Sequence, residues 1–107
     1  MSAIERLREN GIDFDFAKLE DIAKRYAVVE LSLFGSSLRH DMPADSDVDI
    51  LVAFSAKAEV SLFDVMDFEL ELERLFGRSV DLVEREALTN PIRRQNILST
   101  IERLYAA

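Results

Sequence analysis

Apolar positions recur along this chain at two different periods, and the switches between them divide it into elements. The first period is helical: Ile4 and Leu7 lie about a turn apart, Ser2 and Glu5 have capping-box spacing, and Gly11 supplies a stop. A second helix is predicted from about Phe16 to Tyr26, with Leu19, Ile22, Ala23 and Tyr26 on one face and Lys18, Glu20, Asp21 and Lys24 outside. The β-branched, apolar run "VVELSLF", residues 28–34, reads as a strand, and "DVDILVAF", 47–54, as another. Ser61 caps a long helix from about Leu62 to Phe76 that ends at Gly77. Within it "FELELE" alternates as a strand would, but the absence of Gly and Pro and the Glu-rich polar face favour helix. "SVDLV", 79–83, is a third strand, and Asn90-Pro91 opens a closing helix made of "IRRQNILSTIERLY", residues 92–105.

The resulting order is helix, helix, strand, strand, helix, strand, helix, which predicts an α/β fold with helices packed on a small sheet. A length of 107 residues suits one domain spanning 1–107, and 49% hydrophobic with 32% charged residues is an ordinary soluble composition. The longest apolar runs, "LVAF" and "AVVELSLF", fall far short of the roughly twenty residues a bilayer crossing needs. The N-terminus "MSAIERLREN" is charged and helical in pattern, so neither a membrane span nor a secretory signal is expected. The lack of cysteine excludes disulfides and thiolate metal sites and fits a cytoplasmic location. A net charge of −8 opposes a grip on long nucleic acid, which needs clustered Lys and Arg; it serves solubility or a basic protein partner equally well.

Unusual chemistry is confined to residues 33–54, where Asp41, Asp45, Asp47 and Asp49 crowd together with only Arg39 and His40 beside them. Like charges at that density either sit in open water or expect a cation. On a strand Asp45, Asp47 and Asp49 would share one face, with carboxylates two apart starting about 7 Å from each other. Oxygen ligands without His or Cys favour Mg²⁺ or Mn²⁺ over zinc, and Mg²⁺ completes its octahedron with water and substrate phosphate. With ten Asp in the chain, about one Asp-x-Asp arises by chance, so context decides. Asp13-Phe14-Asp15 also fits but precedes a helix and has no phosphate loop upstream, which assigns it to turn and capping work.

Asp47 and Asp49 have that context. Gly35-Ser36 directly follows a strand, where glycine lets phosphate approach the backbone and Ser36 and Ser37 offer hydroxyls and amides; a plain strand-to-helix turn would read the same way. Asp81, central in "SVDLV", would destabilise a core by several kcal/mol unless paired, protonated or metal-bound, though it could also face outward. If its strand lies beside that of Asp47, three carboxylates converge, as two-ion phosphoryl transfer requires.

Gly35-Ser36, Arg39, then Ser46-Asp47-Val48-Asp49-Ile50, then Val80-Asp81-Leu82-Val83 together resemble the minimal nucleotidyltransferase (MNT) family of the polymerase-β-like superfamily. Members commonly read "GS-x-A-R-G", "SD-x-D-hydrophobic" and a later "VDLV"; here Leu38 replaces a small residue, and His40-Asp41 stands where Gly and an acid are common. The resemblance covers about half the chain, Leu33 to Val83. It implies a nucleotidyltransferase fold with a small mixed sheet, and an adenylyltransferase antitoxin that moves AMP from ATP to a tyrosine of a HEPN-domain ribonuclease toxin. By the same resemblance Asp47 and Asp49 bind two Mg²⁺, and Asp81 completes the catalytic-metal site and helps deprotonate the acceptor. Gly35, Ser36 and Ser37 hold the triphosphate, and Arg39 neutralises phosphate or stabilises the loop. All this expects Asp47, Asp49 and Asp81 in one pocket beneath the Gly35 turn. Two competing functions are an antitoxin that blocks its partner by binding alone and a nucleotidyltransferase of small molecules such as aminoglycosides. His40, Arg93 and Arg94 read as solvated side chains, and Met42, Met66 and the phenylalanines as packing residues.

Overall fold

A computed structural model describes all 107 residues. In chain order the elements are α1 (Ala3–Glu9), α2 (Phe16–Arg25), β1 (Val28–Leu33), β2 (Val48–Phe54), α3 (Leu62–Phe76), β3 (Val80–Glu84), α4 (Pro91–Leu98) and β4 (Glu102–Ala106). Short 3-10 turns lie at Gly35–Leu38 and Arg85–Ala87. The caps sit where the sequence put them: Ser2 starts α1, Asp15 starts α2 by accepting from the Ala17 amide, and Asn90 starts α4. Ser61 and Asp64 form a reciprocal capping box on α3, and Gly77 closes that helix in the left-handed region at φ +69°.

The strands form one sheet in the order β3-β2-β1-β4. β1 runs antiparallel to both β2 and β4, while β2 and β3 are parallel and joined through α3, so the sheet is mixed. One sheet face carries Leu31, Leu33, Val48, Ile50, Val52 and Val80 into the main core, where Leu7, Leu19, Phe68 and Leu72 cover them. On the opposite face Leu51 packs with Phe34 and Leu88, and Val83, Ile97, Leu98 and Ile101 close over this smaller cluster.

Three expectations are corrected. The closing helix stops at Leu98, and residues 102–106 form β4 instead. Without β4, the hydrogen-bonding edge of β1, a strand buried over much of its length, would have no partner; pairing of Leu31 with Tyr105 and of Ser32 with Arg103 supplies one. Asp45 does not share a strand face with Asp47 and Asp49, because β2 begins only at Val48 and Asp45 lies in the turn before it. Met66 and Phe63 are not packing residues: both sit on the outer side of α3, 51% and 76% exposed, whereas Met42 is buried as expected.

Candidate active site

Alternation along β2 sends Val48, Ile50 and Val52 into the main core, which leaves Asp49 and Leu51 on the other face. In the parallel β2–β3 pair, Asp81 is the register partner of Asp49. Register partners on adjacent strands point to the same side, with backbones about 4.8 Å apart, so two carboxylates are forced together. Asp47, one residue ahead of β2, has the same parity as Asp49. No Lys, Arg or His forms an ion pair with any of the three. Asp45, Asp41 and His40 stay exposed in the preceding loop.

Asp49 is the fixed member. Its Oδ2 accepts from the Ser36 amide at 3.0 Å and the Ser36 hydroxyl at 2.9 Å, and its own amide donates to Ser37 Oγ at 2.6 Å. Gly35 is required at the start of this turn for two reasons: φ is +59°, and a Cβ there would lie 2.7 Å from Asp49 Oδ2. Burial pushes the Asp49 carboxyl up from its ordinary range; the Ser36 hydrogen bonds oppose this, and the charges of Asp81 and Asp47 add to it. Ser37 is fully buried, so its hydroxyl serves the Asp49 backbone rather than an approaching nucleotide. Arg39 is exposed and forms a two-pronged pair with Asp41 at 3.0 and 3.1 Å, which holds Asp41 below the usual carboxylate range.

The loop between β1 and β2 is tied down by groups that sequence patterning alone passed over. Arg6 Nη1 donates to the Leu38 carbonyl at 2.9 Å; Asn10 Nδ2 donates to the Arg39 carbonyl, and Asn10 Oδ1 accepts from the Met42 amide, both at 2.9 Å. Arg78, just ahead of β3, donates to the Pro43 carbonyl at 2.7 Å and also to the Ser46 carbonyl, which fixes the turn that delivers Asp47. A fourth acid was missed as well. Glu69 of α3 has its carboxyl pushed up by burial first, then by the charges of Glu73, Asp81 and Asp47. Its only sequence signal was a polar position within the helix that joins the two acid-bearing strands.

The face that carries the three aspartates beneath the Gly35 turn is open rather than a cavity. Asp47 and Asp81 are exposed, and no cavity of the protein is lined by Asp47, Asp49 or Asp81. The largest cavity, 430 Å³, lies instead between α2 and α3 against Phe14, Ile22 and Leu75. The reason is coverage: Ile97 and Leu98 of α4 reach the Leu51–Phe34 cluster, while the acids lie on β3, an edge strand, and its neighbour. The three carboxylates are not gathered around one point as they stand, and it is the chemistry of the donor set that suits a hard divalent cation. It is all oxygen, carries no pairing base, and leaves Asp49 Oδ1 without a protein partner.

The family model of the nucleotidyltransferase domain matches residues 17–104. The chain belongs to this family. Among its relatives is the protein adenylyltransferase MntA of Thermococcus cleftensis, 40% identical over 76 residues that cover 71% of this chain and 75% of that protein. A solved structure described as a minimal nucleotidyltransferase superposes with TM-score 0.66 at 32% identity, covering 98% of this chain and 96% of that one. The fold also recurs in the solved complex of a tri-AMPylated Shewanella oneidensis HEPN toxin with an MNT antitoxin, at TM-score 0.58 and 18% identity over 85% of this chain and 69% of that one. As a minimal nucleotidyltransferase, this enzyme has the mixed sheet of the polymerase-β-like fold, with Asp49 and Asp81 on the two parallel strands.

Proposed function

We propose that this nucleotidyltransferase is a Mg²⁺-dependent protein adenylyltransferase, residues 1–107 acting as one unit, that moves AMP from ATP to a tyrosine of a cognate HEPN ribonuclease toxin in the cytoplasm and so acts as its antitoxin. The observation that carries this reading is the pairing of Asp49 with Asp81 across parallel strands, with Asp49 fastened to the Gly35-Ser36 turn. The names of the relatives, an adenylyltransferase and an AMPylated toxin complex, supply the substrate class.

Asp47, Asp49 and Asp81 would hold the metal, which when bound neutralises triphosphate charge and polarises the α-phosphate. The chain's own residues do the rest. Ser36 holds the Asp49 carboxylate in one orientation before any ligand arrives, and Ser37 fixes the backbone beneath it, so little reorganisation of that group is needed on binding. The exposed backbone at Gly35, bare of a side chain, lets the triphosphate lie close to the turn. A phenol with pKa about 10 is scarcely ionised at neutral pH, and exposed Asp81 would help draw off its proton as the oxygen attacks. The phenolate oxygen attacks the α-phosphorus, the bond to the β-phosphate bridging oxygen breaks, and pyrophosphate leaves.

Incubation of the toxin with the enzyme, ATP and Mg²⁺, read by intact mass, tests the proposal. The toxin is expected to gain the mass of one or more AMP groups on tyrosine with the wild type and none with Asp49→Asn. Full neutralisation of the toxin by Asp49→Asn would replace this reading with an antitoxin that acts by binding alone.

A further inference from the structure

The outward side of α3 is apolar where solvent would select polar groups. Phe63, Met66 and Leu70 follow the i, i+3, i+7 spacing of a single helix stripe, and they are 76%, 51% and 49% exposed. The stripe lies opposite Phe68, Leu72 and Phe76, which bury the inner side of the same helix, and exposed Leu62 extends it at the N-terminal turn. Asp64, Asp67 and Glu71 follow one flank at helical spacing, and Glu69 and Glu73 the other. Glu71 is paired with Arg25 at 2.8 Å, and Glu73 accepts from the Val80 amide, whereas Asp67 makes no ion pair. Three large apolar side chains in a row on a surface helix, rimmed by acid until Arg74 in the last turn, mark an interaction surface rather than the scattered apolar exposure of any protein.

We propose that the Phe63–Met66–Leu70 face of α3 docks a protein partner that presents an apolar groove with a Lys/Arg rim. Charge decides among occupants. A second copy of this chain, of net charge −8, would lay acid rails against acid rails, and an anionic bilayer would be repelled by the same groups. A basic groove turns both rails into attraction and takes the apolar stripe in the helix-in-groove manner. The helix also adjoins the strand that carries Asp81, since Glu73 Oε2 accepts from the Val80 amide at 2.9 Å. A partner seated on α3 that extends past the β3 edge of the sheet reaches the acids on the other face, which gives the docking face a use: it brings the acceptor to the nucleotide. In this use the inference rests on the proposed function and names the surface through which that function selects its substrate.

The test measures the affinity of the HEPN toxin for wild type, Phe63→Ser, Leu70→Ser, Asp67→Lys and, as an apolar control elsewhere, Ile92→Ser on α4, which is 73% exposed. Each substituted side chain is solvent-facing, and thermal unfolding verifies that the fold is retained. The docking face predicts at least about a tenfold weakening for Phe63→Ser and Leu70→Ser, a slower and less salt-sensitive association for Asp67→Lys, and no change for Ile92→Ser. ATP binding is unchanged in all four. Equal affinities for wild type and both serine variants would overturn the proposal, as would wild-type dimerisation in sedimentation that Phe63→Ser abolishes. The two claims separate: toxin that binds through α3 but gains no AMP removes the adenylyl transfer and leaves the docking face, whereas AMP transfer unaffected by the serine variants does the reverse.

Discussion

Asp49 is held in a way that sets its charge against the fold. Its carboxyl is raised by burial and by two neighbouring aspartates, so the unfolded chain gives up this proton at lower pH than the native one. The penalty of the charged form is absent below the unfolded pKa and fully present once pH has risen through the raised folded value. Asp49→Asn therefore raises the melting temperature at neutral pH without divalent ions, and the gain shrinks as the solution is acidified, as calorimetry at stepped pH would record. Added Mg²⁺ is expected to raise the melting temperature of the wild type and not of Asp49→Asn. Gly35→Ala acts on the same carboxylate from the other side. The left-handed backbone alone makes alanine about 1–2 kcal/mol unfavourable there, and its Cβ would push into Asp49 Oδ2. Both a lower denaturation midpoint and at least about a hundredfold loss of AMP transfer follow. The Asp-x-Asp and Gly-Ser signals were legible in the sequence because each is a local pattern. The roles of Ser37, Asn10, Arg78 and Glu69 were not, because their partners lie outside their own local patterns, as with Asn10 and Met42 or Arg78 and Pro43.

At the scale of elements, the helix between the acid-bearing strands was read with its true bounds, Leu62–Phe76, since Ser61, Asp64 and Gly77 fix both ends by local chemistry. The C-terminal strand was missed for the opposite reason. Ile97, Ile101 and Leu104 continue a helical spacing past Leu98, and only the open edge of β1, an interaction with a segment far away in sequence, turns residues 102–106 into β4. Leu104 is 5% exposed in the main core, so Leu104→Ala is expected to destabilise by about 2–5 kcal/mol in denaturant titrations. Its amide and that of Tyr105 should exchange slowly with solvent deuterium, together with those of β1. The first helix has a use beyond packing, because Arg6 and Asn10 hold the loop that precedes the acids. Asn10→Ala removes both side-chain hydrogen bonds to the loop and is expected to lower the transfer rate more than the affinity for ATP, a split visible in kcat and KM.

Across the whole molecule the charges divide into those that support the fold and those that await a partner. Glu71 belongs to the first group: the Tyr26 hydroxyl and then the Arg25 guanidinium hold its carboxyl below the ordinary range, tying α2 to α3. A depressed acid contributes stability above its unfolded pKa and loses it as pH falls through the folded value. The deficit of Glu71→Gln against wild type is thus expected to be full at neutral pH and to close below about pH 4.5, where the unfolded carboxyl takes its proton. Asp47, Asp49 and Asp81 belong to the second group, grouped on one face with no base among them. The measurement that tests their common role most directly is anomalous diffraction from crystals grown with Mn²⁺ and a non-hydrolysable ATP analogue. The account predicts manganese bound between the carboxylates of Asp49 and Asp81, with Asp47 at its side and the triphosphate against the Gly35 turn. Manganese bound elsewhere, with the three carboxylates facing only water, would contradict it.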